Sequence, residues 1–151
     1  MKSCQKCGKC CRAHPCALSP EDVRKIASHF RLTSEQLFKK YLVIDYVHRS
    51  NERLYYPCPA RKGDKRGTIV SSNWALSDSP CIFLTSNRCA IEEVKPKGGR
   101  TLSCSLMTLG RNQIGYGKTK ATLDWNNNLL KQMIHAIESP SKVREESECC
   151  S

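Results

Sequence analysis

Cys4-Gln5-Lys6-Cys7-Gly8-Lys9-Cys10-Cys11, followed shortly by Cys16, opens the chain with five cysteines in thirteen residues. A C-x-x-C step lets a tight turn aim two sulfurs at one ion. The glycine after the second cysteine lets the backbone curl so that amides reach the thiolates. One such knuckle supplies half of a tetrahedral site, so thiols from elsewhere must complete it. Cys81, Cys89 and Cys104 form a second cluster, with Cys58 alone between the two. Joining the knuckle to Cys81 and Cys89 ties the N-terminus to the middle of the chain. Cys10 and Cys11 are adjacent and cannot easily turn both sulfurs to one ion, which suggests two sites, or one ligand beside a packed thiol. The candidate metal ligands are Cys4, Cys7, Cys10, Cys11, Cys16, Cys58, Cys81, Cys89 and Cys104. Buried thiols packing as small hydrophobes are the plainer alternative.

The rest of the chain explains why thiols would be needed. Its 151 residues suit one domain, but only 39% are hydrophobic and 7% aromatic, against 11 cysteines. A mean hydropathy of -0.52 agrees with a small apolar core. These values exclude a membrane-spanning, collagen-like or repeat protein and a wholly disordered one. The longest apolar run near the front, Tyr41-Leu42-Val43-Ile44, is far short of a membrane span. No apolar stretch of signal-peptide length precedes the cysteines, so the expected setting is the reducing cytoplasm, where close-set cysteines act as ligands rather than disulfides. No membrane partner is expected.

The formal charge is +11, from 25 basic and 14 acidic residues. A divalent ion held by four thiolates carries about −2, so two such sites would bring the net charge to about +7. The chain stays basic either way. A solvated surface and a site for nucleic acid or an acidic protein partner both fit this charge. For the second reading the candidate contacts are Arg100, Arg111, Tyr116, Lys118 and Lys120, where a ring for base stacking lies among cations.

Local signals predict an α+β fold: a small metal-stabilised domain with an N-terminal cysteine knuckle, a helical hairpin, a short β-hairpin and a C-terminal amphipathic helix. Ser19-Pro20-Glu21-Asp22 offers an N-cap, a first-turn proline and an acid three residues after the cap. Val23, Ile26, Ala27 and Phe30 continue at helical spacing, which predicts a helix over 20–30. Thr33-Ser34-Glu35-Gln36 repeats the capping pattern for a second helix reaching Tyr41. The period then changes. Leu42 to His48 and Arg53 to Tyr56 read as strands around a turn at Ser50-Asn51-Glu52, and Thr68-Ile69-Val70 as a further short strand. Residues 77–104 show little periodicity. Lys97-Gly98-Gly99-Arg100 and Gly115-Tyr116-Gly117-Lys118 resemble phosphate loops only superficially and read as turns. Leu123, Leu130, Met133, Ile134 and Ile137 predict one amphipathic helix over 121–138, closed by Ser139-Pro140. One domain over 1–138 and a disordered polar tail over 139–151 follow, the tail carrying Cys149-Cys150 as a reactive pair.

Cys4-x-x-Cys7-Gly8-x-Cys10-Cys11 resembles the signature of the YkgJ-type cysteine-cluster family, described as zinc- or iron-chelating domains. The resemblance continues through Leu18-Ser19-Pro20-Glu21-Asp22, Ser79-Pro80-Cys81-Ile82-Phe83-Leu84, Cys89-Ala90-Ile91-Glu92-Glu93 and Val94-Lys95-Pro96. It implies a metal-binding domain, with Zn2+ as the ion or, alternatively, iron or a [4Fe-4S] cluster in redox or methyl-transfer chemistry. There is one departure. Gly99 stands where the family usually has a cysteine, and Cys104 is the candidate substitute. Thiolate softness suits both metals. The run Cys4-x2-Cys7-x2-Cys10 before His14-Pro15 resembles a ferredoxin motif, whereas nine cysteines between Cys4 and Cys104 suffice for two four-thiolate zinc sites and a spare, which favours zinc. Spacing alone assembles no catalytic nucleophile and base, so no catalytic residue is assigned.

Overall fold

The computed structural model describes residues 16–70, 79–101 and 118–138. The knuckle from Cys4 to Cys11, Cys104, Arg111, Tyr116 and the 139–151 tail lie outside these residues.

Two helices start as their caps dictate. In α1 (Pro20–His29), Ser19 Oγ accepts from the Asp22 backbone N–H at 3.1 Å, and Asp22 Oδ2 accepts from the Ser19 N–H at 2.9 Å. In α2 (Ser34–Tyr41), Thr33 and Gln36 make the same reciprocal pair at 3.1 and 3.0 Å. Between them Arg31 adopts φ 56 and the Leu32 N–H returns to the Ala27 carbonyl at 2.8 Å, closing the helical hairpin.

Strands β1 (Leu42–Arg49) and β2 (Glu52–Pro59) pair antiparallel in a register running from Leu42↔Pro59 to Arg49↔Glu52. β2 runs three residues beyond the expected Tyr56. Proline usually argues against a strand because it cannot donate to the ladder. Here Pro57 and Pro59 oppose Ile44 and Leu42, whose free backbone groups face the other way: the Ile44 N–H donates to the Thr68 carbonyl at 2.9 Å, and the Leu42 carbonyl accepts from the Gly67 N–H at 2.7 Å. Both prolines therefore occupy positions where no N–H is required. Gly67 adopts φ 72, and a Cβ there would lie 3.2 Å from the Lys39 Cα, so this close passage needs glycine. The expected strand at 68–70 is only a single parallel bridge, Ile44↔Ile69.

The segment with little periodicity folds around a miniature hairpin. β3 (Leu84–Thr85) pairs with β4 (Arg88–Cys89), followed by a 3-10 turn at Glu92–Val94. The Lys97–Thr101 stretch, expected as a turn, is a short helix, α3. Its two glycines disfavour helix, but its first N–H, on Lys97, is taken up by Asp22 Oδ1 at 3.2 Å.

The expected single C-terminal helix is two, α4 (Lys118–Asp124) and α5 (Asn127–Glu138). Asn126 Oδ1 accepts from the Asn128 N–H at 3.0 Å, a side-chain cap that begins a new helix. The Trp125 indole N–H meanwhile donates to the Leu18 carbonyl at 2.8 Å. The break rephases the apolar face: Leu130 and Ile134 are buried as expected, while Leu123 is 67% exposed.

Two packed clusters form the core. Leu18, Ile26, Leu37, Leu42, Ile44, Phe83, Ile91 and Leu130 belong to one; Ala17, Val43, Tyr56, Cys58, Ala60 and Ala121 belong to the other. Successive residues of β1 alternate between them, as a two-residue period requires when both faces are covered. Helices with small antiparallel sheets make this an α+β arrangement. Among the described residues no helix is long and apolar enough to cross a membrane.

Candidate metal centre

Four candidate ligands fall within the described residues, and three separate segments carry them. Cys16 lies three residues before the α1 cap Ser19, Cys58 lies near the end of β2, Cys81 precedes β3, and Cys89 ends β4 opposite Leu84. An aromatic group fixes that hairpin. Phe83 stacks on Phe30 at 6.0 Å and meets Tyr41 at 5.4 Å, while Phe30 and Tyr41 stack at 5.0 Å. Cys58 is held by the hairpin register, two residues after Tyr56 and on the same face.

The thiols share one electrostatic neighbourhood at the junction of the two core clusters. Cys81 belongs to the first cluster, with Cys16 and Cys89 packed against it, and Cys58 belongs to the second. Burial pushes the Cys16 thiol up to about 12, with Cys81, Asp22 and Cys89 adding repulsion. Burial likewise raises Cys58 well above an ordinary thiol, reinforced by Asp45, Cys16 and Cys81. Cys81 rises to about 11, again chiefly through burial; a Phe83 backbone hydrogen bond and the charges of Arg61 and Lys62 oppose the rise. None of the four is joined to another by a disulfide. Without metal, Cys16, Cys58 and Cys81 are held as neutral thiols at pH 7, and a thiophilic cation would displace their protons.

Gly99 closes one side of this neighbourhood. A Cβ at that position would stand 3.8 Å from Cys16 Sγ and 3.3 Å from Lys95 Cγ. The position where the resemblance places a cysteine thus lies against the Cys16 sulfur. Lys95 covers it with a side chain only 15% exposed and pairs with Glu92 at 3.7 Å.

Soft donors, buried at Cys58 and Cys81 and half-buried at Cys16 and Cys89, suit zinc or iron. Among the described residues, no three His, Cys, Asp or Glu side chains are close enough to hold an ion. The described thiols are a convergent set, not a closed cage. Cys4, Cys7, Cys10, Cys11 and Cys104 lie outside the described residues. Of the candidate polyanion contacts, Lys120 is exposed on α4, and Arg100 and Lys118 lie on α3 and α4; the side chains of these last two are not described. His29, His48 and His135 are exposed.

Sequence reasoning missed the buried Arg61 and half-buried Asp45 near the sulfurs. Arg61 is not among the candidate residues above, yet it is 0% exposed and its backbone bridges to Cys81. Its place after the apolar end of β2 was the available signal. Asp45, which accepts from the buried Tyr56 hydroxyl at 2.5 Å, carried none.

A family model, CxxCxxCC, with the description "Putative zinc- or iron-chelating domain", matches residues 3–129. No curated protein and no solved structure matches the chain.

Proposed function

Because the chain belongs to the CxxCxxCC family of zinc- or iron-chelating domains, we propose that it binds Zn2+ through its cysteine thiolates, that the metal holds the fold, and that the basic surface meets an acidic protein or nucleic acid. The observation that carries the metal reading is that Cys16, Cys58, Cys81 and Cys89, from three segments, lie near enough to interact electrostatically where they pack on the two core clusters. A thiophilic cation that takes the protons' place would let neighbouring thiolates coexist where burial and mutual repulsion otherwise keep them protonated. The knuckle thiols Cys4, Cys7, Cys10 and Cys11 directly precede Cys16 and complete the ligand set in this reading, with Cys104 as a further ligand. Bound zinc would serve as a structural cross-link.

Elemental analysis with a visible spectrum on anaerobically purified protein tests this. Zinc in a colourless protein is expected; a brown protein carrying iron and sulfide would replace zinc with an iron–sulfur cluster, as the Cys4-x2-Cys7-x2-Cys10 run allows. Cys7→Ser should lower metal content, whereas Cys150→Ser in the polar tail should not. The partner half rests on the net charge of +11 and on exposed cations such as Lys39, Lys40, Lys65, Arg66 and Lys120. Retention on heparin or RNA that falls steeply with salt is the expected outcome, and salt-independent passage would remove it.

A further inference from the structure

The half of the β1–β2 hairpin nearest its turn carries rings and a cation on one face. Tyr46 pairs with Tyr55 and His48 with Arg53, and the two-residue period sets all four side chains on the same side. Both are pairs of the closer kind, in which the backbone groups point away from the partner strand. On β2 those groups meet α5 instead: the Tyr55 N–H donates to Asn127 Oδ1 at 3.2 Å, and Asn127 Nδ2 donates to the Arg53 carbonyl at 3.3 Å. The side chains are in contact accordingly. The Arg53 guanidinium lies over the Tyr46 ring, 4.6 Å from its centre. The His48 and Tyr55 rings stand 5.4 and 6.0 Å from that ring, at 86° and 67° to it. Tyr46 and Tyr55 are half-buried, whereas His48 and Arg53 are exposed.

Charge is sorted between the two faces. The hairpin's carboxylates, Asp45 and Glu52, alternate onto the other face, and both are engaged: Asp45 accepts from the Tyr56 hydroxyl, and Glu52 accepts from Asn127 Nδ2 and Lys131 Nζ, each at 3.1 Å. The face with the rings thus offers π surface and positive charge with no carboxylate of the hairpin beside them. Cations alone would suit any acidic surface. Rings set beside a cation suit unpaired nucleobases, because every base has a π-face and is followed by a phosphate. A duplex hides those faces, and Asp and Glu side chains have none.

We propose that this face binds single-stranded nucleic acid, with a base stacked on Tyr46 and the Arg53 guanidinium turned to the adjacent phosphate. The base takes the guanidinium's place over the ring, and its stacking more than replaces an exposed cation–π contact. The inference rests on the partner half of the reading above and gives it a site and a ligand.

The test follows the fluorescence anisotropy of a labelled oligouridylate with the full-length chain at several salt concentrations. An abasic oligomer of the same length should bind about fivefold more weakly or worse, the low end for one stacked base. Tyr46→Leu should lose a similar factor with its salt slope unchanged, and Tyr46→Phe, which keeps the ring, should stay within about twofold of the parent. Arg53→Gln should lower the slope of log affinity against log salt by about 0.7, one phosphate contact on a single strand. Equal binding by Tyr46→Leu and the parent overturns the proposal, as does equal binding of the abasic oligomer. Polyglutamate bound as tightly as the oligouridylate also overturns it, since the cations would then serve an acidic protein. Should Tyr46→Leu not fold, Arg53→Gln decides: an unchanged salt slope in that variant of an exposed side chain overturns it. A parent that binds neither heparin nor oligouridylate in a salt-dependent way sinks the partner reading and this inference together. A parent retained on heparin, with Tyr46→Leu binding oligouridylate as the parent does, sinks this inference alone.

Discussion

Tyr56 donates its hydroxyl proton to Asp45 Oδ2 at 2.5 Å, directly across the hairpin register, while Asp45 Oδ1 accepts the Tyr46 backbone N–H at 2.8 Å. Burial, then Cys58 and Asp45, hold the Tyr56 phenol far above its ordinary range, so it remains a donor at any working pH. Tyr56→Phe leaves a half-buried carboxylate short of a donor and should destabilise the fold by about 1.5–3 kcal/mol in urea unfolding. Metal stoichiometry should be unchanged, because the lost bond lies outside the sulfur set. The thiols carry a pH dependence of their own. Cys16 and Cys81 titrate near 12 and 11 in the fold against 9.0 ordinarily, so above pH 9 the unfolded chain releases protons that the folded chain keeps. Their contribution to metal-free stability is complete below pH 9 and lost as pH rises through 11 to 12, a decline that urea unfolding across that window will register. Zinc binding runs the other way. Each displaced proton should raise apparent affinity about tenfold per pH unit near neutrality, as chelator competition at several pH values will show.

At the scale of elements, Asp22 serves two helices at once. One carboxylate oxygen closes the α1 capping box and the other receives the first N–H of α3. Asp22→Ala should cost about 2 kcal/mol, at the upper end for lost caps, and Ser19→Ala about 1 kcal/mol, both read from denaturant midpoints. A second link runs over the surface, where Glu21 meets Lys25 at 2.9 Å and Lys97 at 3.0 Å. Hydrogen bonds from Lys25 and Lys97 hold the Glu21 carboxyl down to about 2 from 4.5. That contribution is therefore present above pH 4.5 and fades as pH falls toward 2; since Glu21 is exposed, added salt should erase it in the same melting experiment. The caps of α1 and α2 were legible because each is closed by residues three apart in sequence. The break at Trp125-Asn126 was not. Apolar spacing runs on across it, and the bond that fixes it, Trp125 to Leu18, spans more than a hundred residues.

The whole molecule has little apolar material, and its two core clusters meet where the thiols lie. A cross-link at that junction would join the N-terminal segment, the hairpin and the β3–β4 loop, which the modest core alone joins weakly. Removing the metal with a chelator at pH 7 should therefore lower the melting temperature by about 10 °C or more, as loss of several kcal/mol does in a chain this size. An unchanged melting temperature after complete metal removal would mean that the apolar clusters suffice on their own.

By itself the sequence determined the cysteine inventory, the family, both capped helices and the hairpin turn, since each is set by the identity and spacing of residues near one another. The tertiary structure alone decided that Cys16, Cys58, Cys81 and Cys89 share one neighbourhood, that Gly99 lies against the Cys16 sulfur, and that Arg61 is sealed in beside Cys81. Those outcomes depend on which surfaces pack together. Packing sums many weak contacts between distant segments, and no local pattern of residues records that sum.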